Sequence, residues 1–195
     1  MTSTSDPAPP LEWISCDGGP HLLMPQSLRG VWRGSGPPFD GRVVDARFRW
    51  TMDAADPATD YDAACDVDDA VGVIEVAGRQ AVVLGDEVPL STWLPCAAFD
   101  GGVLVVALAW ESERFDGTVR AAVDLLTLDH FGATGLVFAL DQPGCLLCAA
   151  CDAGPDWLYS TQDIDIPAGR YALWGADIQM DGVAMTVHGL ERLTA

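Results

Sequence analysis

Three cysteines at regular spacing, Cys145-Leu-Leu-Cys148-Ala-Ala-Cys151, are the first residues in this 195-residue chain that could do chemistry. A C-x2-C-x2-C run belongs to iron–sulfur ligand sets, but those carry a further Cys at short range, where Pro155 stands here. A structural zinc would need a fourth ligand, and no second Cys pair or Cys/His pair follows at ligand spacing. The intervening Leu and Ala residues suit a buried strand in which Cys acts as a small hydrophobe. The run is therefore read as core packing, with no metal and no cofactor. A small metal- or redox-binding protein built on Cys145, Cys148 and Cys151 is the competing reading. Cys16, Cys65 and Cys96 are scattered and expected to be reduced thiols. His21, His130 and His188 lie far apart, each without a neighbouring Cys or second His. There is no G-x-S-x-G, P-loop or G-x-G-x-x-G. Asp66-Val-Asp68-Asp69 matches part of a calcium loop, but Val71 occupies the place of its glycine and the terminal Glu is misplaced. Nothing here is an enzyme signature, and no enzyme is expected.

Charge is the strongest compositional feature. Ten Arg and no Lys oppose 29 acidic residues, for a formal net charge of -19. That balance makes nucleic acid or an anionic membrane a poor partner and favours a basic one. The distribution is uneven. Arg42, Arg47 and Arg49 form a small basic cluster, after which Asp53, Asp56, Asp60, Asp62, Asp66, Asp68 and Asp69 follow with no base among them. Asp86 and Glu87 add two carboxylates on a turn. Asp60, Asp62, Asp66, Asp68, Asp69, Asp86 and Glu87 are the candidate partner-binding residues, because self-repulsion among them would be offset by a basic surface. For any one of them the alternative is a solvated acidic face.

The elements that would carry these residues are mostly strands. The pattern is organised around residues 71–95, where the runs Val71-Gly-Val-Ile-Glu-Val76 and Ala81-Val-Val-Leu84 flank a glycine loop and read as a hairpin. Pro89 is expected to block further pairing, and Trp93 to close the unit as a largely buried cap. Residues 12–16 and 21–24 are strand candidates around a Gly18-Gly19-Pro20 turn, and residues 25–32 a short helix with Leu28, Val31 and Trp32 on one face. Residues 61–65 could form another. Val103 to Trp110 lacks alternation and reads as a strand covered on both faces. Residues 118–128 form the principal helix, with Val119, Ala122, Val123 and Leu126 on one stripe, Asp116 or Thr118 as cap and Gly132 as stop. Residues 136–140 and 145–150 read as a hairpin, as do 163–166 with 170–174 around Pro167. Asp181-Gly182 is a hairpin turn between apolar runs. The expected fold class is α+β: a mainly antiparallel sheet protein with one principal helix and short helical turns. Residues 1–10 read as a lead-in without structure, and 11–195 as one domain with an acidic insert over 40–69. No signal peptide and no apolar run long enough for a membrane span is present, so a cytoplasmic protein is expected.

Three ordered stretches carry a resemblance. They are Trp13 with Gly18-Gly19-Pro20, Leu22-Leu23-Met24-Pro25 and Trp32-Arg33-Gly34; Thr59-Asp60-Tyr61-Asp62 with Cys65 and Gly72-Val73; and Leu84-Gly85-Asp86-Glu87 with Thr92-Trp93-Leu94-Pro95. Together with the Pro167-Ala168-Gly169-Arg170-Tyr171 turn, their order resembles the immunity protein 21 family of bacterial polymorphic toxin systems. The resemblance covers most of residues 12–193. It implies a mainly β, α+β domain that binds and neutralises a cognate toxin in the producing cell, with no catalytic residues to carry over. The basic-then-acidic insert around 40–58 and the cysteine triplet depart from the family pattern. A structural or assembly module is a further alternative.

Overall fold

The strands that lack alternation are the central ones, buried on both faces. The computed structural model describes residues 9–38, 41–51, 53, 55–85, 88–111, 114–152 and 158–194. Its elements are β1 (His21–Pro25), α1 (Asp60–Cys65), β2 (Val71–Val76), β3 (Arg79–Leu84), β4 (Leu90–Cys96), β5 (Phe99–Trp110), α2 (Phe115–Asp124), β6 (Gly132–Leu140), β7 (Cys145–Ala149), β8 (Gln162–Ile164), β9 (Gly169–Met180) and β10 (Val183–Arg192), with 3-10 turns at Gln26–Leu28 and Leu128–His130. They form two antiparallel five-stranded sheets, ordered β2-β3-β1-β7-β8 and β4-β5-β10-β9-β6. The fold is α+β, as the sequence predicts.

Leu23, Val82, Leu84 and Leu147 of the first sheet meet Leu104, Val106, Phe138, Tyr171 and Leu190 of the second, so the main core lies between the sheets. The reverse face of the first sheet, with Leu22, Met24, Val83 and Leu146, is covered by Leu28, Trp32, Tyr61 and Ala64. Leu28 and Trp32 are fully buried there, although the predicted short helix is a single 3-10 turn. The reverse face of the second sheet, with Val103, Val105, Met185 and Val187, is covered by Val119, Ala122 and Val123 of α2. At about 1.5–3 kcal/mol for each fully buried Val or Leu, this explains why β1, β3, β7 and most of β5 are continuous apolar runs. Where β5 leaves that cover, Leu108 and Trp110 become exposed.

Both local hairpins form as predicted. β9 and β10 turn at Asp181 and Gly182 (φ 46° and 78°), and β2 and β3 at Ala77 and Gly78 (φ 49° and 75°). Positive φ at both central residues matches the strand twist, and Ala77 accepts the left-handed strain that Asn or Gly would avoid.

Three expected connections differ. Pairing does not end after β3: the next strand, β4, belongs to the second sheet and pairs with β5. Trp93 therefore lies on a strand, half-buried against the inter-sheet core, with its indole N–H donating to Gly101 O at 3.0 Å. β6 and β7 are not a hairpin, since β6 pairs β9 and β7 pairs β1 and β8. β8 and β9 likewise belong to different sheets. Pro and Gly specify that a chain reverses, not which sheet receives the next strand. The principal helix runs earlier than predicted. Asp116 does not cap it; its carboxylate instead accepts the Leu11 N–H (2.8 Å) and the Trp13 indole N–H (2.9 Å). At the other end residues 127–130 form their own turn, in which His130 Nδ1 accepts the Thr127 N–H. Residues 12–16 contribute only a bridge from Ile14 to Ser91. No helix among the described residues is long and apolar enough to cross a membrane.

Candidate functional site

α1 begins at a capping box in which Thr59 Oγ1 accepts the Asp62 N–H and Asp62 accepts the Thr59 N–H. This short helix, packed by Tyr61 and Ala64 against the first sheet, is the anchor for the irregular segment before it. Asp60 is 2% exposed, pairs with Arg42 (2.5 Å) and accepts the Arg33 N–H (2.8 Å). Asp62, equally buried, accepts the Trp50 N–H at 2.7 Å. Asp66 accepts the N–H groups of Arg47 (2.5 Å) and Phe48 (2.7 Å). Carboxylates at 60, 62 and 66 thus fasten residues 42–50 onto α1 by taking up backbone donors and the guanidinium groups of Arg42 and, at 3.9 Å, Arg47. The acidic run is not without a base, as its composition suggested: Arg42 and Arg47 reach it from the preceding basic cluster.

The candidate residues fall into three groups. Asp60 and Asp62 are turned inward, and Asp66 is half-buried. Asp68 is 85% exposed and lies 3.4 Å from the Arg47 guanidinium, and Asp69 is exposed. Asp86 and Glu87 lie outside the described residues.

Fastening the backbone turns side chains outward. Val43, Phe48 and Trp50 are exposed, Trp50 at 62%. Asp45, Asp53, Asp56 and Asp68 of the same stretch of chain are exposed as well. Trp50 stands edge-on to Tyr61 (centroids 5.8 Å apart), and an open cleft of about 710 Å3 is lined by Phe48, Trp50, Tyr61, Cys65, Val88, Pro89 and residues 16–19. Composition alone hid this patch, because an exposed Trp reads in sequence like a core one. A separate cleft of about 440 Å3 runs between Asp69 at the start of β2 and Thr134, Asp177, Thr186 and His188 of the second sheet.

The cysteine triplet does not converge. Cys145 packs in the inter-sheet core, while Cys148 faces the other side of β7 and Cys151 lies beyond the strand end. Burial pushes the Cys145 thiol up to about 12 and raises Cys148 as well. Among the described residues no group of three or more His, Cys, Asp or Glu could hold a metal ion. The cysteines that do gather are Cys16, Cys65 and Cys151, all close to Tyr61. No spacing announced this, since the β1–β7 pairing brings them together.

His188 is buried, and among the described residues neither ring nitrogen has a hydrogen-bond partner. Burial depresses it to about 4, partly opposed by the charge of Asp177. His21 is also buried, and His130 is exposed.

None of the curated proteins and none of the solved structures matches this chain. The sequence model of the immunity protein 21 family matches residues 12–183. Because that match spans both sheets and leaves out little more than the two ends, the chain belongs to the immunity protein 21 family.

Proposed function

We propose that this protein binds a cognate protein toxin and neutralises it in the cytoplasm of the producing cell, and that the toxin docks on the face built by residues 43–69. One observation carries the reading: an exposed Trp50 that shares a cleft with Phe48, lies in a segment whose Asp45, Asp53 and Asp68 are also exposed, and has its backbone N–H held by the buried Asp62 carboxylate. Aromatic anchors inside a polar rim are the usual hot spots of protein interfaces, and a backbone already held in place loses less entropy on binding. The net charge of -19 suits a toxin with a basic surface and speeds its encounter. Within this reading Asp68 and Asp69 face the partner, and Asp60, Asp62 and Asp66 hold the face in shape. Asp86 and Glu87 are kept as partner-binding candidates on charge alone. The protein acts on the toxin by occupying it, not by a reaction.

The test is binding kinetics with the purified toxin. Trp50→Ala should weaken affinity by about 30-fold or more through a faster off-rate. Asp45→Asn/Asp53→Asn/Asp68→Asn together should slow the on-rate and flatten its salt dependence, with folding unchanged. Parental kinetics in both variants would move the interface elsewhere.

A further inference from the structure

Beyond toxin binding, one group of side chains is arranged for covalent chemistry. Cys16 Sγ lies 3.3 Å from His21 Nε2, and His21 Nδ1 lies 2.7 Å from Ser91 Oγ. His21 is fully buried on β1, and Ser91 on β4 of the opposite sheet is buried too, so the imidazole is held from behind. With Nδ1–H donating to Ser91 Oγ, Nε2 is left to accept the Cys16 proton. The resulting imidazolium would keep both bonds, to the thiolate and to the serine oxygen. Cys16 itself is half-exposed on the wall of the 710 Å3 cleft.

A second thiol stands beside it. β1 and β7 pair from His21 and Ala149, and the ladder continues with the Ala150 N–H donating to Pro20 O (2.9 Å). Residue 151 thereby arrives at the turn whose first residue is Cys16, which brings the two thiols close enough to perturb one another's ionisation. Both cysteines are free and half-exposed.

We propose that Cys16 is a nucleophilic thiol, with His21 as its base, and that hydrogen peroxide converts it to a disulfide with Cys151. In the first step the Cys16 thiolate attacks one peroxide oxygen and the O–O bond breaks. Sulfur is oxidised to the sulfenic acid, and the departing hydroxide takes the proton held by His21, leaving as water. In the second step Cys151 sulfur attacks the sulfenic sulfur, the S–O bond breaks, and the hydroxyl leaves with the Cys151 proton as a second water. Two thiols and one peroxide give one disulfide and two waters. The ionisation pattern agrees: the neighbouring Cys151 thiol, then the His21 hydrogen bond and charge, hold Cys16 far below the ordinary thiol range against the effect of partial burial. Cys145 and Cys148, buried in apolar surroundings, are inert by comparison.

The proposal stands apart from the toxin reading, since its test uses the full chain alone. The protein is treated with one equivalent of hydrogen peroxide, remaining thiols are blocked, and peptides are analysed by mass spectrometry. The expected product is a Cys16–Cys151 linkage with the other four thiols free. Cys151→Ser should instead accumulate a Cys16 sulfenic acid trapped by dimedone, and Cys16→Ser should leave Cys151 reduced. Near pH 6, iodoacetamide should label Cys16 about tenfold faster than Cys65 or Cys96, and Ser91→Ala should narrow that margin. A linkage between other cysteines, no linkage, or a Cys16 labelling rate equal to those of Cys65 and Cys96 would overturn the proposal.

Discussion

A histidine at 2% exposure with neither nitrogen bonded among the described residues is held in its neutral form by the fold. The groups facing it are few: Gly175, Asp177 and Thr186 near it in the sheet, with Asp69 across the cleft. Its folded value of about 4 lies below the ordinary 6.5, so between those values the unfolded chain takes up the proton first. Stability from His188 is therefore full above pH 6.5, falls as pH drops through this window, and is lost near pH 4. At pH 5 the loss is about 2 kcal/mol. Urea denaturation at pH 7.5 and pH 5.0 checks this: His188→Leu should lose about that much less than the parent between the two conditions. Equal losses would mean that the ring is solvated or paired in the native state.

At the scale of elements, the segment before α1 is fastened by side chains rather than by a strand ladder. Arg42 and Asp60 form its most buried attachment, at 17% and 2% exposure. Removing one member of a buried pair strands the other, at about 3 kcal/mol, whereas the exposed Arg47–Asp68 contact contributes little. Asp60→Asn should accordingly lower stability by about 3 kcal/mol and open residues 42–60 to limited proteolysis, while Asp68→Asn should do neither. Intact protection of that stretch in Asp60→Asn would show that the carboxylates at 62 and 66 suffice.

These attachments also mark where the sequence stops being readable. The hairpins at Gly78 and Asp181-Gly182 and the short helix over 61–65 were legible because each signal lies within a few residues, although the Thr59 cap that starts that helix was not read. The crossings after β3, at 141–144 and at 165–168 were not legible, because sheet membership is decided by distant packing. For the same reason Trp93 read as a cap when it is a strand residue. At the candidate site, the sequence showed where the acids cluster but not that three point inward or half inward, nor that Phe48 and Trp50 point out. Cys16 and His21 flank one turn, but Ser91 and Cys151 come from two other stretches, and only the folded sheets bring them to it.

Across the whole molecule, a net charge of -19 acts on folding and on encounter in opposite directions as salt changes. Screening relieves self-repulsion in the native state but also weakens attraction to a basic partner. Calorimetry from low to physiological ionic strength should show Tm rising, by about 2–4 °C for each kcal/mol of repulsion relieved. A flat or falling Tm would mean that local pairs such as Arg42–Asp60 already neutralise what matters. The sandwich itself is indifferent to much of this charge, since its three apolar layers are sealed by β1, β3, β5, β7 and α2.

The way residues 47, 48 and 50 are tied down has a consequence for how such a protein can diversify. Their ties run from main-chain N–H groups to Asp62 and Asp66, and every amino acid except proline carries that donor. Outward side chains at 43, 45, 48, 49 and 50 can be exchanged without touching a clamp. Residues 43–50 form a cassette on a fixed frame, on which new recognition can be written while the rest of the chain folds as before.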